Sequence, residues 1–322
     1  MERWRARKVV IVGAGAVGST FAYALAQSGV ADEIVLTDMD SNLAQGQVMD
    51  LAHGLPFYPN VQIKMGDVQD YADAHVVVIT AGSKQRPGES RLALLQRNAR
   101  IIEAIMDEIT AQGSQAVVVV VSNPVDILTY VAQQHARWPR GRVIGSGTVL
   151  DSARFRYLLS QHCGVNVHNV HAYILGEHGD SEFAAWSMTH VAGMHFDEYC
   201  RMCGDCRDWQ DEKHKIEEAV RNSAYHIIGY KGSTYFAVGL ALVRIVSAIV
   251  RNEKSVLTVS TVLEGEFGLH GVSLGVPAMV GEAGVERVLE MELPPDELGA
   301  LQRSAVVLQK ALAALRQPFD SQ

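Results

Sequence analysis

Through the first half of the chain, short β-branched apolar runs alternate with longer stretches whose apolar residues recur at helical spacing. The runs at 9–12, 34–37, 61–64, 76–80, 117–121 and 143–145 predict strands, and the stretches at 16–28, 42–53, 90–111 and 125–135 predict helices. Val76-Val77-Val78-Ile79 and the valines from Val117 to Val121 are apolar on both faces. Such runs belong to strands that helices cover on both sides, so six strands with helical crossovers predict a doubly wound parallel sheet.

The second half is less regular. A helix from Asp151, a strand near 171–174, long helices at 210–229 and 233–250, β-rich material at 257–276 and a last helix from Pro295 read as an α+β domain. With no Pro/Ser-rich linker, no internal repeat and no low-complexity segment, the expected division is 1–147 and 148–322, two tightly packed domains with the site between them.

Composition narrows the classes. The 322 residues are 48% hydrophobic and 20% charged, which removes disorder as the main state. A net charge of −8 leaves no basic field for nucleic acid or anionic lipid. Arg3, Arg5, Arg7 and Lys8 before an apolar run imitate a signal peptide, but the run breaks at Gly13. The apolar stretch 235–250 carries Arg244, so no membrane span is expected. Four cysteines in so long a chain suit a reducing compartment, and a cytoplasmic location is the expectation.

Candidate chemistry begins after the first strand. Gly13-Ala14-Gly15-Ala16-Val17-Gly18 is a G-x-G-x-x-G in strand-to-helix context. Gly13 permits the tight turn, Gly15 lets the backbone approach a pyrophosphate, and Gly18 lets the helix pack closely on the sheet. Asp38 follows at the end of the next strand, where a carboxylate accepts from ribose hydroxyls and repels a 2′-phosphate; Met39 supplies no cation to rescue one. A Rossmann-type domain that binds NAD rather than NADP is predicted.

Four more segments place polar groups where such a sheet opens its crevice: Thr80-Ala81-Gly82-Ser83-Lys84-Gln85-Arg86-Pro87-Gly88-Glu89-Ser90-Arg91, Ser122-Asn123-Pro124-Val125-Asp126, Leu150-Asp151-Ser152-Ala153-Arg154-Phe155-Arg156 and Gly176-Glu177-His178-Gly179-Asp180. With these motifs in this order, the chain resembles the lactate/malate dehydrogenase family, in its bacterial lactate branch, from Lys8 to about residue 315. The resemblance implies hydride transfer between a nicotinamide and a 2-oxo acid. It makes His178 the proton donor and acceptor, Asp151 its partner, Arg154 the anchor of the substrate carboxylate, and Arg91 a lid residue that stabilises charge on the carbonyl. It carries Asn123 to both substrate and cofactor, and Val17, Ala81, Gly82, Ser122 and Ser146 to the cofactor, beside Gly13, Gly15, Gly18 and Asp38.

Gln85 occupies the loop position where malate dehydrogenases carry an arginine for a second carboxylate. A neutral amide there points to pyruvate, giving L-lactate, with Glu89 adding like-charge repulsion, Thr234 shaping the methyl pocket and Arg86 left solvated. Malate dehydrogenase is the alternative, and a dinucleotide-binding protein without turnover is the reading from another class. Arg156 and His171 match positions at which allosteric bacterial members bind fructose 1,6-bisphosphate between subunits; both also occur in members with weak or no activation, so regulation stays open. A homotetramer is implied, with a dimer as the alternative. Cys200, Cys203 and Cys206, with His190 and His195 upstream, have the spacing of a metal site, but no fourth cysteine completes a set, and no metal is expected. Cys163 is expected to be packed.

Overall fold

The computed structural model describes residues 6–84, 88–203 and 209–315. The first half runs β1 (Lys8–Val12), α1 (Ala16–Ser28), β2 (Glu33–Thr37), α2 (Ser41–His53), β3 (Gln62–Met65), β4 (Val76–Ile79), α3 (Arg91–Ala111), β5 (Val117–Val120), α4 (Val125–Ala136) and β6 (Val143–Gly145). These strands lie side by side as β3-β2-β1-β4-β5-β6, all parallel, the doubly wound order of a Rossmann-type sheet. Every residue of β1, β4 and β5 is buried, because helices cover both faces. The strand order reverses between β1 and β4, so the crevice beyond their carboxyl ends falls at Gly13 and Thr80.

The second half continues with α5 (Val149–Cys163), β7 (Val170–His171), β8 (Ile174–Leu175), β9 (Phe183–Ala184), β10 (His190–Val191), β11 (Met194–His195), α6 (Phe196–Cys203), α7 (Trp209–Lys231) and α8 (Phe236–Val250). It ends with β12 (Ser255–Leu257), β13 (Ser260–Glu264), β14 (His270–Gly275), β15 (Ala278–Gly281), β16 (Gly284–Val288) and α9 (Pro295–Leu315). β13 joins the edge of the first sheet antiparallel to β6, through Ser260 opposite Gly145, and β14 pairs with β13. A Cβ on Gly145 would lie 2.9 Å from the Ser260 Cβ, so glycine lets the two backbones meet. The sheet and one apolar core thus run across the middle of the chain, and a second cluster around Phe155, Leu159, Phe196 and Cys200 fills the far end.

The structure departs from the sequence expectation in three places. The strand expected at 171–174 is two short ones: His171 pairs with His190, while Ile174 pairs with Ala184. The Tyr173 carbonyl between them accepts from the Ala185 amide as the chain passes from one small sheet to the other. The helix expected from Ser233 starts at Phe236, since Gly232 at φ 83° and Tyr235 at φ −151° lie outside helical geometry. Helix α6 and the β15–β16 hairpin are too short to show a clear period in sequence. Among the described residues, no helix is long and apolar enough to cross a membrane.

Candidate active site

Gly13 sits at φ +107°, and a Cβ there would lie 2.7 Å from the Ala81 nitrogen. A Cβ on Gly18 would lie 1.9 Å from the Gly13 carbonyl oxygen, so the helix reaches the turn only because both residues are glycine. Gly15 differs: nothing lies within 4 Å of the place its Cβ would take, and it caps α1 without a side-chain hydrogen bond. Uncapped amides facing open space, at the positive end of a helix, suit a pyrophosphate. The Asp38 carboxylate accepts from the Ala14 amide at 2.7 Å and the Asp40 amide at 2.9 Å, which fixes it beside that turn, and the Met39 side chain is fully exposed. Ser122 donates to the Ala81 carbonyl, and the Ser146 amide donates to Val120, tying the ends of β4, β5 and β6 into one rim. Val17 is half-buried in the first turn of α1, and Gly82 is exposed on the same rim. The donor set fits a dinucleotide.

Across the crevice, His178 Nδ1 lies 2.6 Å from Asp151 Oδ2, and Arg154 Nη1 donates to Asp151 Oδ1 at 2.7 Å. Asp151 stands in the first turn of α5 with its side chain 2% exposed, and Arg154 follows at i+3 on the same face. Burial alone would lower the His178 pKa, but the charge and hydrogen bond of Asp151, with the charge of Asp126, raise it to about 9. Burial pushes Asp151 up, and His178 and Arg154 overcome this and hold it below the ordinary carboxylate range. The ring is therefore an imidazolium at neutral pH, and the Asp151 contact at Nδ1 leaves Nε2 for another partner.

Arg91, Asn123 and His178 line one cavity of about 570 Å³ with Leu92, Leu95 and Ala311. Ser90 caps α3 by accepting from the Ala93 amide, which places Arg91 on the first helical residue, at the cavity edge.

Two family models match, the lactate/malate dehydrogenase NAD binding domain over residues 7–145 and the alpha/beta C-terminal domain over 148–317. The chain belongs to the lactate/malate dehydrogenase family. It is 62% identical to an L-lactate dehydrogenase of Treponema denticola, over 96% of this chain and 98% of that protein, and 50% identical to one of Acetivibrio thermocellus, over 96% and 97%. A crystal structure of the minor L-lactate dehydrogenase from Enterococcus mundtii, in its ligands-bound form, superposes with a TM-score of 0.93 at 41% identity, covering 97% of this chain and 99% of that one. NAD is the cofactor of this lactate/malate dehydrogenase family member, an NAD-dependent 2-hydroxy acid dehydrogenase.

Not every expected residue meets the others. Thr234, half-buried between α7 and α8, is not among the residues lining the cavity with Arg91 and His178. Gln85, Arg86 and Pro87 lie outside the described residues. The repulsion expected from Glu89 needs correcting: Arg97 Nη2 donates to Glu89 Oε2 at 2.7 Å and Nε to Oε1 at 3.2 Å, so its charge is compensated. Arg156 donates to the Val170 carbonyl next to the exposed His171, which brings those two residues together. Cys200 is buried, the Cys203 thiol donates to its carbonyl, and Cys206 lies outside the described residues. Cys163 is half-buried against the second apolar cluster.

Two residues had no assigned role. Asp126 accepts the His178 amide at 2.8 Å and the Ser260 hydroxyl at 2.6 Å; burial pushes its pKa to about 6 against those two hydrogen bonds. An aspartate within the apolar run Val125-Asp126-Ile127-Leu128 was the signal in sequence. Glu182 is 5% exposed beside the couple, and nothing in the local pattern marks it.

Proposed function

We propose that the protein catalyses the reversible reduction of pyruvate by NADH to L-lactate. The observation that carries the reading is the buried Asp151 carboxylate, which holds the His178 ring on one oxygen and Arg154 on the other, beside the cavity that Arg91 enters. When bound, NADH would supply a hydride to the carbonyl carbon. As that bond forms, the carbonyl π pair moves to oxygen and takes the proton that His178 holds on Nε2; in the reverse direction the neutral ring takes the proton back. Asp151 keeps the ring in the required tautomer and its charge stabilises the imidazolium. One Arg154 donor is engaged by Asp151, and the remaining N–H groups of its planar fork suit the substrate carboxylate. Arg91 brings positive charge to the developing alkoxide. Asn123 suits both cofactor and substrate; the resemblance assigns Thr234 to the methyl pocket, although it is not among the residues lining the cavity, and the uncharged Gln85 offers no counter-ion to a second carboxylate.

Assembly and regulation belong to the same reading. The resemblance points to a cytoplasmic homotetramer, with a dimer as the alternative, and leaves open a sugar-bisphosphate site at Arg156 and the exposed His171, which adjoin through the Arg156 bond to the Val170 carbonyl. The test is NADH oxidation by the purified protein with pyruvate and, separately, oxaloacetate, with and without fructose 1,6-bisphosphate. A large kcat/KM preference for pyruvate is expected. Preference for oxaloacetate would move the reading to malate, and binding of NADH without turnover would remove it.

A further inference from the structure

Glu182 is the group beside the reacting atoms that the mechanism leaves unused. It lies between His178 and β9, its amide bonded to the Gly179 carbonyl at 3.2 Å and its own carbonyl accepting from Arg221 Nε at 3.4 Å. One ligand-capable atom each from Asp151, His178 and Glu182 all lie within 4.8 Å of one another. No side chain among the described residues donates a hydrogen bond to the Glu182 carboxyl, in contrast to Asp151, which has two partners, and Asp126, which has Ser260 and an amide.

The charges facing Glu182 come from several elements. Asp151 and Arg154 face it from α5, His178 from the preceding loop and Arg221 from α7; Asp126 stands one contact further off, on the His178 amide, and Glu217 on Arg221. Arg221 is matched by Glu217 at 3.1 Å, so it brings little net charge. Arg154 and the imidazolium both pair with Asp151. An ionised Glu182 would set a second carboxylate within 4.8 Å of the Asp151–His178 couple, beside the place where the substrate must deliver its own, with no hydrogen bond from the described residues to offset its burial.

We propose that Glu182 is a positioning residue that must be a neutral carboxylic acid for the substrate to bind, so that two ionisations, at Glu182 and at His178, close the site at alkaline pH. The proposal rests on the pyruvate reading of the same site. It agrees with burial and the Asp151 charge pushing the Glu182 pKa up, against the opposing pull of His178, Arg154 and Arg221. Two groups this close titrate as a pair, so the observable is the number of protons lost rather than a value for either residue.

The experiment measures kcat/KM for pyruvate at saturating NADH across neutral and alkaline pH, in the native enzyme and in Glu182→Gln, each scaled to its own value at neutral pH. Above the break, log kcat/KM is expected to fall with slope −2 in the native enzyme and −1 in E182Q, a loss of about 100-fold against about 10-fold per pH unit. Equal slopes in the two proteins would overturn the proposal. Infrared spectroscopy of the native protein gives an arm independent of turnover and of whether E182Q folds. At about pH 8, where the ordinary carboxyls and Asp126 have ionised, one carboxylic-acid C=O band is expected, and its absence would likewise overturn the proposal. A native protein that shows the band and no pyruvate reduction would instead mark failure of the pyruvate reading.

Discussion

The buried carboxylate of Asp126 accepts the backbone N–H of His178 at 2.8 Å, although 52 residues separate them. Its other oxygen takes the Ser260 hydroxyl, and Ser260 also meets Ser273 at 2.8 Å. The loop that presents the reactive imidazole is therefore fastened to α4 and, through it, to the added edge strands of the sheet. Asp126→Ala would leave an amide and a hydroxyl buried without this acceptor. A loss of about 2 kcal/mol in stability is expected, read as a lower urea midpoint at unchanged m-value, together with a fall in kcat/KM as the ring loses its register.

Asp151→Asn tests the charge on the couple. Reduction uses the imidazolium, which in the native protein is present below about pH 9 and lost as pH rises through that value. Without the Asp151 charge the ring titrates nearer its ordinary value of about 6.5, so the alkaline limb for pyruvate reduction moves down by about two pH units. At neutral pH, kcat/KM for pyruvate is expected to fall by about 100-fold or more, because the tautomer is lost along with the charge. A pH profile that keeps its native alkaline limb in the variant would contradict the assignment.

Stability carries the same linkage with a definite sign. The folded-state pKa of His178 lies above the unfolded value of about 6.5, so its contribution is complete below that value and is lost as pH rises towards about 9. In the native protein the thermal midpoint should decline over that window, and in His178→Gln the decline should be smaller.

The two glycines of the cofactor turn should separate fold from binding. Gly18→Ala would force a Cβ to 1.9 Å from the Gly13 carbonyl, so a drop of several degrees in Tm is expected along with lost NADH binding. Gly15→Ala meets nothing within 4 Å, so the fold should keep its Tm while NADH affinity, followed by fluorescence titration, falls at least tenfold.

Asp38 decides which dinucleotide enters. Replacing it with serine removes the acceptor of the Ala14 amide and the repulsion of a 2′-phosphate together. KM for NADH should rise by about tenfold, and the NADH-to-NADPH ratio of kcat/KM should fall by more than that, measured side by side with pyruvate.

The local periodicities and motifs were determined by the sequence alone. Alternation of apolar valine runs with amphipathic stretches sets β1 to β6 and their helices within a residue or two, because burial on both faces of a strand and one face of a helix is a property of neighbouring residues. The glycine turn with Asp38, and the Asp151–Arg154 pair at i+3, were legible for the same reason. The His178–Asp151 contact spans 27 residues and was readable only through resemblance to a family. Tertiary structure decided the rest: which carboxylate meets the His178 amide, that Glu89 is paired with Arg97, that β13 adds to the nucleotide-binding sheet opposite Gly145, and that Glu182 lies beside the couple. Each of these depends on where packing brings distant segments together, and on how far burial raises the free energy of a charge, neither of which a linear pattern of residue types contains.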